Sequence, residues 1–467
     1  MSFSKFLQSR REQAKALVAA LKQHFDYVSI LGSDVQARSV SASTNLTGIN
    51  SGSDTECGFV IRVAGDGVFY EYSMDDLQDD LDALVSHILK SFRFSKALKA
   101  QPIGVRNLSD EPLVHSFSRE SDLDQYSDQQ LLDFCKSLRD TVSAKSSNLQ
   151  NVSVSLYTTE VSKLFISPNR ELDQNYTWVN GHIGVVYSAN NRTVQHGAGE
   201  NYATVDQVMK MLPRVVTKVL YNASKLTTAK TMIPGEYDIV TDTHMTGLIA
   251  HEAFGHGVEM DMFVKDRALA KDYVGKYVAS PIVNMRDGAA AALSAGSYFF
   301  DDEGVLAGNT QIIKDGILVT GISDLGSALE LGTVPTGNGR RESSRRKAYA
   351  RMTNTFIEPG SDKLADMIAS IDHGYYVCGC DNGMEDPKNW AIQCVAEYAI
   401  EIRNGKLTDN WFAPVIISGY VPDLLKSISM ISNGCKIEGA GMCGKGYKEW
   451  VRVSDGGPAL KARAKLG

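Results

Sequence analysis

In the run His251-Glu252-Ala253-Phe254-Gly255-His256, two imidazoles lie five positions apart and a carboxylate follows the first of them directly. Imidazole is a preferred ligand of zinc, and a neighbouring carboxylate can serve as general base towards a water at the metal. The spacing is unusual for a regular helix. Residues four apart sit about 40° apart on the helical cylinder, whereas five residues turn through roughly 500° and leave the rings roughly 140° apart. Both rings can reach one ion only if the helix widens by a residue, as in a π-bulge, or unwinds before His256. Gly255 and Gly257 flank the second histidine, and their backbone freedom is the expected source of that distortion.

A catalytic zinc takes three protein ligands and keeps a position for water. Glu259, Asp261 and any of the seven cysteines (57, 135, 378, 380, 394, 435 and 443) are candidates for the third. Cys378 and Cys380 lie two apart in a strand-like segment, which suits small buried strand residues. Cys443 stands in Gly439-Ala440-Gly441-Met442-Cys443-Gly444-Lys445-Gly446. Glycines there let the backbone carry a thiol close to an ion, and the nearby lysine favours the thiolate. His24, His87 and His373 have the surroundings of ordinary surface or core histidines.

A chain of 467 residues with 43% apolar residues can bury a large core divided over two or three domains. The formal charge of −7 gives no footprint for nucleic acid, and the one basic cluster, Arg340 to Lys347, is short. No run approaches eighteen apolar residues, so no membrane span is expected. The first residues lack the apolar core and cleavage site of a secretory leader. The odd, scattered cysteines suit a reducing compartment. A cytoplasmic protein is the expectation.

The elements that must position these residues read as α+β. A helix is expected over 1–25, then strands at Tyr27–Ile30, Cys57–Val63 and Val68–Tyr72, the last two joined by a turn at Ala64-Gly65-Asp66-Gly67. A helix capped at Ser73 should run to about Phe92. After a polar connection over 93–127 come a helix at about 128–144, strands near 152–158, 161–166 and 176–187, and a helix over 204–225 that Pro213 should kink or split. A short strand, Tyr237–Val240, leads into the histidine motif. Beyond 280, short strands (Gln311–Ile313, Ile317–Val319, Ala396–Ile402, Val415–Ser418) alternate with turns, and only 361–373 reads as a further helix. Three units follow: two α+β subdomains, 1–95 and 96–230, and a β-rich domain over 231–467 that carries the metal-site helix.

The motif lies in Gly247-Leu248-Ile249-Ala250-His251-Glu252-Ala253-Phe254-Gly255-His256-Gly257-Val258-Glu259. It is followed in order by Asp301-Asp302-Glu303-Gly304-Val305, Gly337-Asn338-Gly339-Arg340-Arg341-Glu342-Ser343 and the segment from Arg351 to Gly360. Cys443-Gly444-Lys445 and Asp455-Gly456-Gly457-Pro458 close the series. These blocks, over roughly 233–458, resemble the TldD/PmbA family, once called modulators of DNA gyrase; the N-terminal half is similar more loosely. The resemblance implies a zinc peptidase acting on small or unstructured peptides, one ion per chain. His251, His256 and Cys443 would be its ligands and Glu252 its base. The histidine motif is intact, which implies the active, TldD-like branch. It also implies a dimer, with a second copy or with an inactive paralogue. Two departures stand out: the tail Ala459–Gly467 is short where many relatives carry a further strand, and Asp386-Pro387-Lys388-Asn389-Trp390 replaces a glycine-containing turn.

Two other readings compete. A regulatory or scaffold subunit with a structural metal would need a fourth protein ligand, whereas His251, His256 and Cys443 leave one position open and the intact Glu252 favours catalysis. A redox role for Cys378 and Cys380 lacks the C-x-x-C spacing. His244 or the Arg340–Arg346 loop could donate a hydrogen bond to the oxyanion in the peptidase reading.

Overall fold

The computed structural model describes residues 2–65, 68–77, 80–97, 111–439, 441–446 and 448–467. Asp66 and Gly67 of the expected hairpin turn, residues 98–110 of the expected polar connection, and Ala440 lie outside the described residues. Eight strands build the first sheet: β1 (Tyr27–Ser43), β2 (Thr47–Ser51), β3 (Glu56–Gly65), β4 (Val68–Met74), β5 (Leu113–Ser118), β6 (Leu149–Ile166), β7 (Arg170–Ala189) and β8 (Arg192–Tyr202). Their order is β4-β3-β1-β6-β7-β5, with β2 added to β1 and β8 to β7. Neighbours run antiparallel except β5, which lies parallel to β7.

The two-residue period of these strands assigns each face. On one face Val28 and Ile30 of β1 and Leu164 and Ile166 of β6 pack under α1 (Lys5–Lys22) and α2 (Leu81–Ala97). Further along the same strands, Val40, Ala42, Val154 and Leu156 pack under α3 (Asp128–Ser143), α4 (Val205–Met211) and α5 (Val216–Leu226). The other face docks on the C-terminal half: Val35, Val161, Tyr176 and Trp178 meet Ala289 and Tyr298, while Leu31, Phe165 and Leu172 meet Phe300. Ion pairs cross the same boundary, with Arg62 between Glu71 and Glu303, both at 2.5–2.7 Å, and Arg341 on Glu71.

Several expectations shift. Strands from 1–95 and 96–230 share one sheet, because β1 pairs with β6 along most of its length. β1 continues well past Ile30; Gln36, Arg38, Ser39 and Ser41 between Val35, Ala37, Val40 and Ala42 hide an alternation that the burial reveals. The two strands expected at 152–158 and 161–166 are one, β6. The helix expected from Ser73 starts at Leu81, since β4 runs to Met74, and Asp80 accepts the Ala83 amide. Pro213 does split the 204–225 helix into α4 and α5, with a 3-10 turn at Leu212–Val215 between them.

The second sheet has thirteen strands. β9 (Gly235–Thr241) lies between His373–Cys378, parallel to it, and Ser454–Leu466, antiparallel. Ser454–Leu466 also pairs with Asn354–Ile357, Met430–Glu438 and Val415–Tyr420, so the chain's last strand is central. The short tail after Pro458 forms the second half of that strand, to Leu466. The 361–373 helix is one turn shorter at each end, Leu364–Ala369, and two helices not foreseen occur at Leu325–Leu331 and Val421–Lys426. Each is under two turns long, too short for a periodic signal. Among the described residues no helix is long and apolar enough to cross a membrane.

Candidate metal centre

The helix α6 (Thr243–Ala250) delivers the histidines. Asp242 caps it, one carboxylate oxygen accepting the Met245 amide at 2.8 Å and the other the Gly379 amide at 3.0 Å. The helix lies tightly on the central strand: a Cβ on Gly247 would stand 2.5 Å from Asp455 Oδ1 and 2.6 Å from the Gly456 amide nitrogen. From His251 to Gly255 the helix widens into a single π turn, the His256 N–H donating to the His251 carbonyl, and His256–Val258 then tightens to 3-10. This is the distortion the five-residue spacing demands.

The glycines serve a different purpose from the one expected. Gly255 has φ −71°, an ordinary helical value. What requires glycine is space, since a Cβ there would lie 2.0 Å from Met352 Sδ, and one on Gly257 2.7 Å from Glu385 Oε1. Close packing, rather than backbone freedom, fixes both positions.

The widened turn sets the two rings at right angles, 89°, with centroids 5.1 Å apart. Cys443, on the strand Met442–Lys445 of a hairpin with Lys448–Arg452, points between them. Its Sγ is 3.2 Å from His251 Nε2 and 3.3 Å from His256 Nε2. The three ligand atoms all lie within 4.8 Å of one another. Tetrahedral zinc with nitrogen bonds near 2.0–2.1 Å and a sulfur bond near 2.3 Å would separate sulfur and nitrogen by roughly 3.6 Å. The donor set of two imidazoles and a thiolate and the size of the triangle therefore fit such an ion.

Electrostatics point the same way. Burial would raise the Cys443 thiol, but the two imidazoles hold it well below its ordinary value. Burial would lower both imidazoles, yet Cys443 pushes His251 up to about 9 and His256 well above its usual range. Three groups that share protons in this way are groups a cation can hold together in place of those protons.

Glu252, the residue after the first histidine, is buried against the strand Asn382–Asp386, where a Cβ on Gly383 would meet its Cγ at 2.5 Å. Glu259 and Asp261, candidates for the third ligand, belong to the surrounding shell instead. Glu259 takes Arg351 Nε at 2.9 Å and Lys445 Nζ at 3.1 Å, and faces His256 Nδ1 at 3.5 Å. Asp261 binds Lys445 at 2.6 Å and Lys265 at 2.9 Å. On the His251 side, Asp455 Oδ2 stands 3.9 Å from Nδ1. Such outer carboxylates orient imidazole ligands.

Other residues singled out in the sequence lie elsewhere. His244 pairs with Glu438 at 2.5 Å, beside a separate cavity that Cys378 and Cys380 also line. In the Arg340–Arg346 loop, Arg340 donates to the Met352 carbonyl at 2.6 Å, Arg341 binds Glu71, and Arg345 pairs with Asp75, so the loop fastens the two halves together. Three residues of the centre were overlooked: Arg351, Asp455 and Glu385, whose carboxylate oxygens are buried without a hydrogen-bond partner. Arg351 and Asp455 stand in the sequence blocks named above, but only the fold brings them within reach of residues some 100 to 200 positions away.

Residues 234–464 match the model of the PmbA/TldA metallopeptidase C-terminal domain. The chain belongs to the PmbA/TldD family. It is 36% identical over 256 residues to a metalloprotease of Synechocystis sp., which covers 55% of each chain. It is 33% identical over 247 residues to a TldD-homologue metalloprotease of Haemophilus influenzae, covering 53% of this chain and 50% of that one. The chain thus spans about half the length of the curated relatives it matches. Over nearly its whole length it shares the fold of a Thermotoga maritima protein named for modulation of a DNA gyrase, with TM-score 0.77, 16% identity and coverage of 99% and 100%. TldE of Thermococcus kodakarensis has the same fold, with TM-score 0.75, 18% identity and coverage of 97% and 99%. Like these structural neighbours, the chain is a mixed structure of helix and sheet.

Proposed function

We propose that this protein is a zinc-dependent peptidase of the active, TldD-like branch that hydrolyses small or unstructured peptides. Its catalytic unit is 231–467, one ion is held per chain by His251, His256 and Cys443, and Glu252 is the general base. The observation that carries this reading is the ligand triangle closed by the π turn, with Glu252 the next residue along that turn. A zinc ion at such a site supplies Lewis acidity towards a carbonyl and towards water. Glu252 takes the proton of the attacking water as its oxygen bonds to the peptide carbonyl carbon, then returns that proton to the departing amine nitrogen as the C–N bond breaks. His256 is held in orientation by Glu259, while Asp455 lends its charge to the His251 side from 3.9 Å. A structural zinc takes four protein ligands, whereas the described residues bring three together, which favours catalysis over a scaffold role.

The burial of His251, Glu252 and Cys443 favours a substrate without folded bulk. The working assembly in this reading is a dimer, with a second copy or with an inactive paralogue, as the family resemblance implies. Glu252→Gln tests the chemistry. The amide cannot accept the proton, so hydrolysis of an unfolded peptide should fall by about 10²–10⁴-fold while zinc content by mass spectrometry stays at wild type. Loss of zinc in that variant would make Glu252 a ligand, and near-full activity would remove it from the mechanism. Sedimentation of the pure chain, alone and with added paralogue, separates the two assemblies.

A further inference from the structure

We propose that Arg351 is a positioning residue of the metal centre, which holds the Cys443 sulfur in the ligand triangle and withdraws electron density from it through a hydrogen bond. This inference rests on the metal reading above. Arg351 is wholly buried. Its Nη2 donates to Cys443 Sγ at 2.9 Å and to the Cys443 carbonyl at 3.1 Å, its Nη1 donates to the Glu449 carbonyl, and its Nε donates to Glu259 Oε1 at 2.9 Å. One guanidinium thus fastens both strands of the Cys443 hairpin to Glu259, the carboxylate that faces His256. The next residue, Met352, packs on Gly255 inside the π turn. Residues 351 and 352 together therefore hold the sulfur ligand against the helix that carries both nitrogen ligands.

A buried Arg–Glu pair needs only a carboxylate to be satisfied. Here the fork is turned so that one arm serves Glu259 and another the sulfur, a division open to planar guanidinium but closed to a single ammonium. The local charges support this division. Arg351 faces both Glu259 and the Cys443 sulfur, while Lys445 serves Glu259 and Asp261. A donor to a ligating sulfur weakens its electron donation and leaves the ion more electrophilic, the property a peptidase centre needs.

The experiment uses the full chain with Co²⁺ as an optical probe and Zn²⁺ in competition with a chromophoric chelator. Arg351→Lys keeps a cation for Glu259 but loses the second arm. It should retain the wild-type circular dichroism, bind either ion about 10- to 100-fold more weakly, and show the sulfur-to-cobalt charge-transfer band at lower energy. The double variant Arg351→Met/Glu259→Gln removes the buried pair together, so it leaves no lone charge and should show the same displaced band. Folded variants with wild-type affinity and an unmoved band would overturn the proposal, as would a displaced band in neither variant that folds. Failure of the metal reading looks different: wild type itself would show no sulfur-to-cobalt band, or Cys443→Ser would keep it.

Discussion

Around Leu156 in the first sheet, the buried neighbours are Val40, Ala42, Leu131, Leu138, Val154, Val208 and Leu212, residues that need only be apolar and of the right size. Around Cys443 the neighbours are His251, His256, Glu259 and Arg351, polar side chains that meet one another at particular distances. The first arrangement degrades by degrees, because a lost methylene costs a share of one cluster. The second fails as a unit, because removing one member leaves others buried and unpaired. The difference sets a region whose loss is graded beside one whose loss is abrupt. It also predicts that the two can be damaged separately.

The largest separate damage should come from Cys443→Ala. Without the sulfur the triangle keeps two imidazoles, and bound zinc should fall at least about 100-fold in affinity with hydrolysis undetectable. Dialysis followed by metal analysis checks this, and retention of one tightly held zinc per chain would break the assignment of Cys443. The matching damage on the other side is Leu156→Ala. Deleting a fully buried leucine from the helix-covered face should cost about 2–5 kcal/mol of unfolding free energy. Zinc content and turnover at 25 °C should be unchanged. If Leu156→Ala instead loses zinc in step with stability, the halves are not independent and the comparison fails.

The same division explains what could be read from the chain alone. The helices α1 and α3 and the apolar ends of the strands announce themselves by period, since each apolar residue contributes to a local pattern. The spacing of His251 and His256 calls for either a π-bulge or an unwound turn if both are to reach one ion, and the helix takes the first. For Cys443 the glycine-rich loop and Lys445 give only a partial local signal among seven cysteines, and the family resemblance supplies the rest, since the approach of the thiol to the histidines is made by the fold. Arg351 and Asp455 had no role assigned for the same reason. The glycines were misread because a requirement for space depends on Met352 and Glu385, distant in sequence, whereas a requirement for φ is local. The central place of the segment after Pro458 has no signal in the sequence, because centrality in a sheet is a property of its partners.

The smallest expected effect sharpens the comparison through pH. Asp324 caps the helix Leu325–Leu331, accepting the Ser327 amide at 2.9 Å, and sits near Glu303, which holds the Leu325 amide at 2.5 Å and pairs with Arg62 across the boundary between the halves. Burial first, and then the charge of Glu303, push its carboxyl from the ordinary 3.8 up to about 6. The folded protein therefore keeps this proton where the unfolded chain has lost it. The contribution to stability is fully present below about 3.8 and is lost as pH rises through about 6. Asp324→Asn keeps an oxygen for the cap and has no proton to lose. Relative to wild type, the variant should gain stability across that window, by at most about 3 kcal/mol at neutral pH, from a shift of two units at about 1.4 kcal/mol each. Thermal unfolding of both proteins from pH 4 to 7 gives the difference directly. Leu156→Ala, measured in parallel, should be displaced from wild type by the same amount at every pH, since it removes no titrating group. A difference for Asp324→Asn that is equally flat would mean that the carboxyl titrates in the folded protein as it does in the unfolded chain, and that this buried charge is solvated after all.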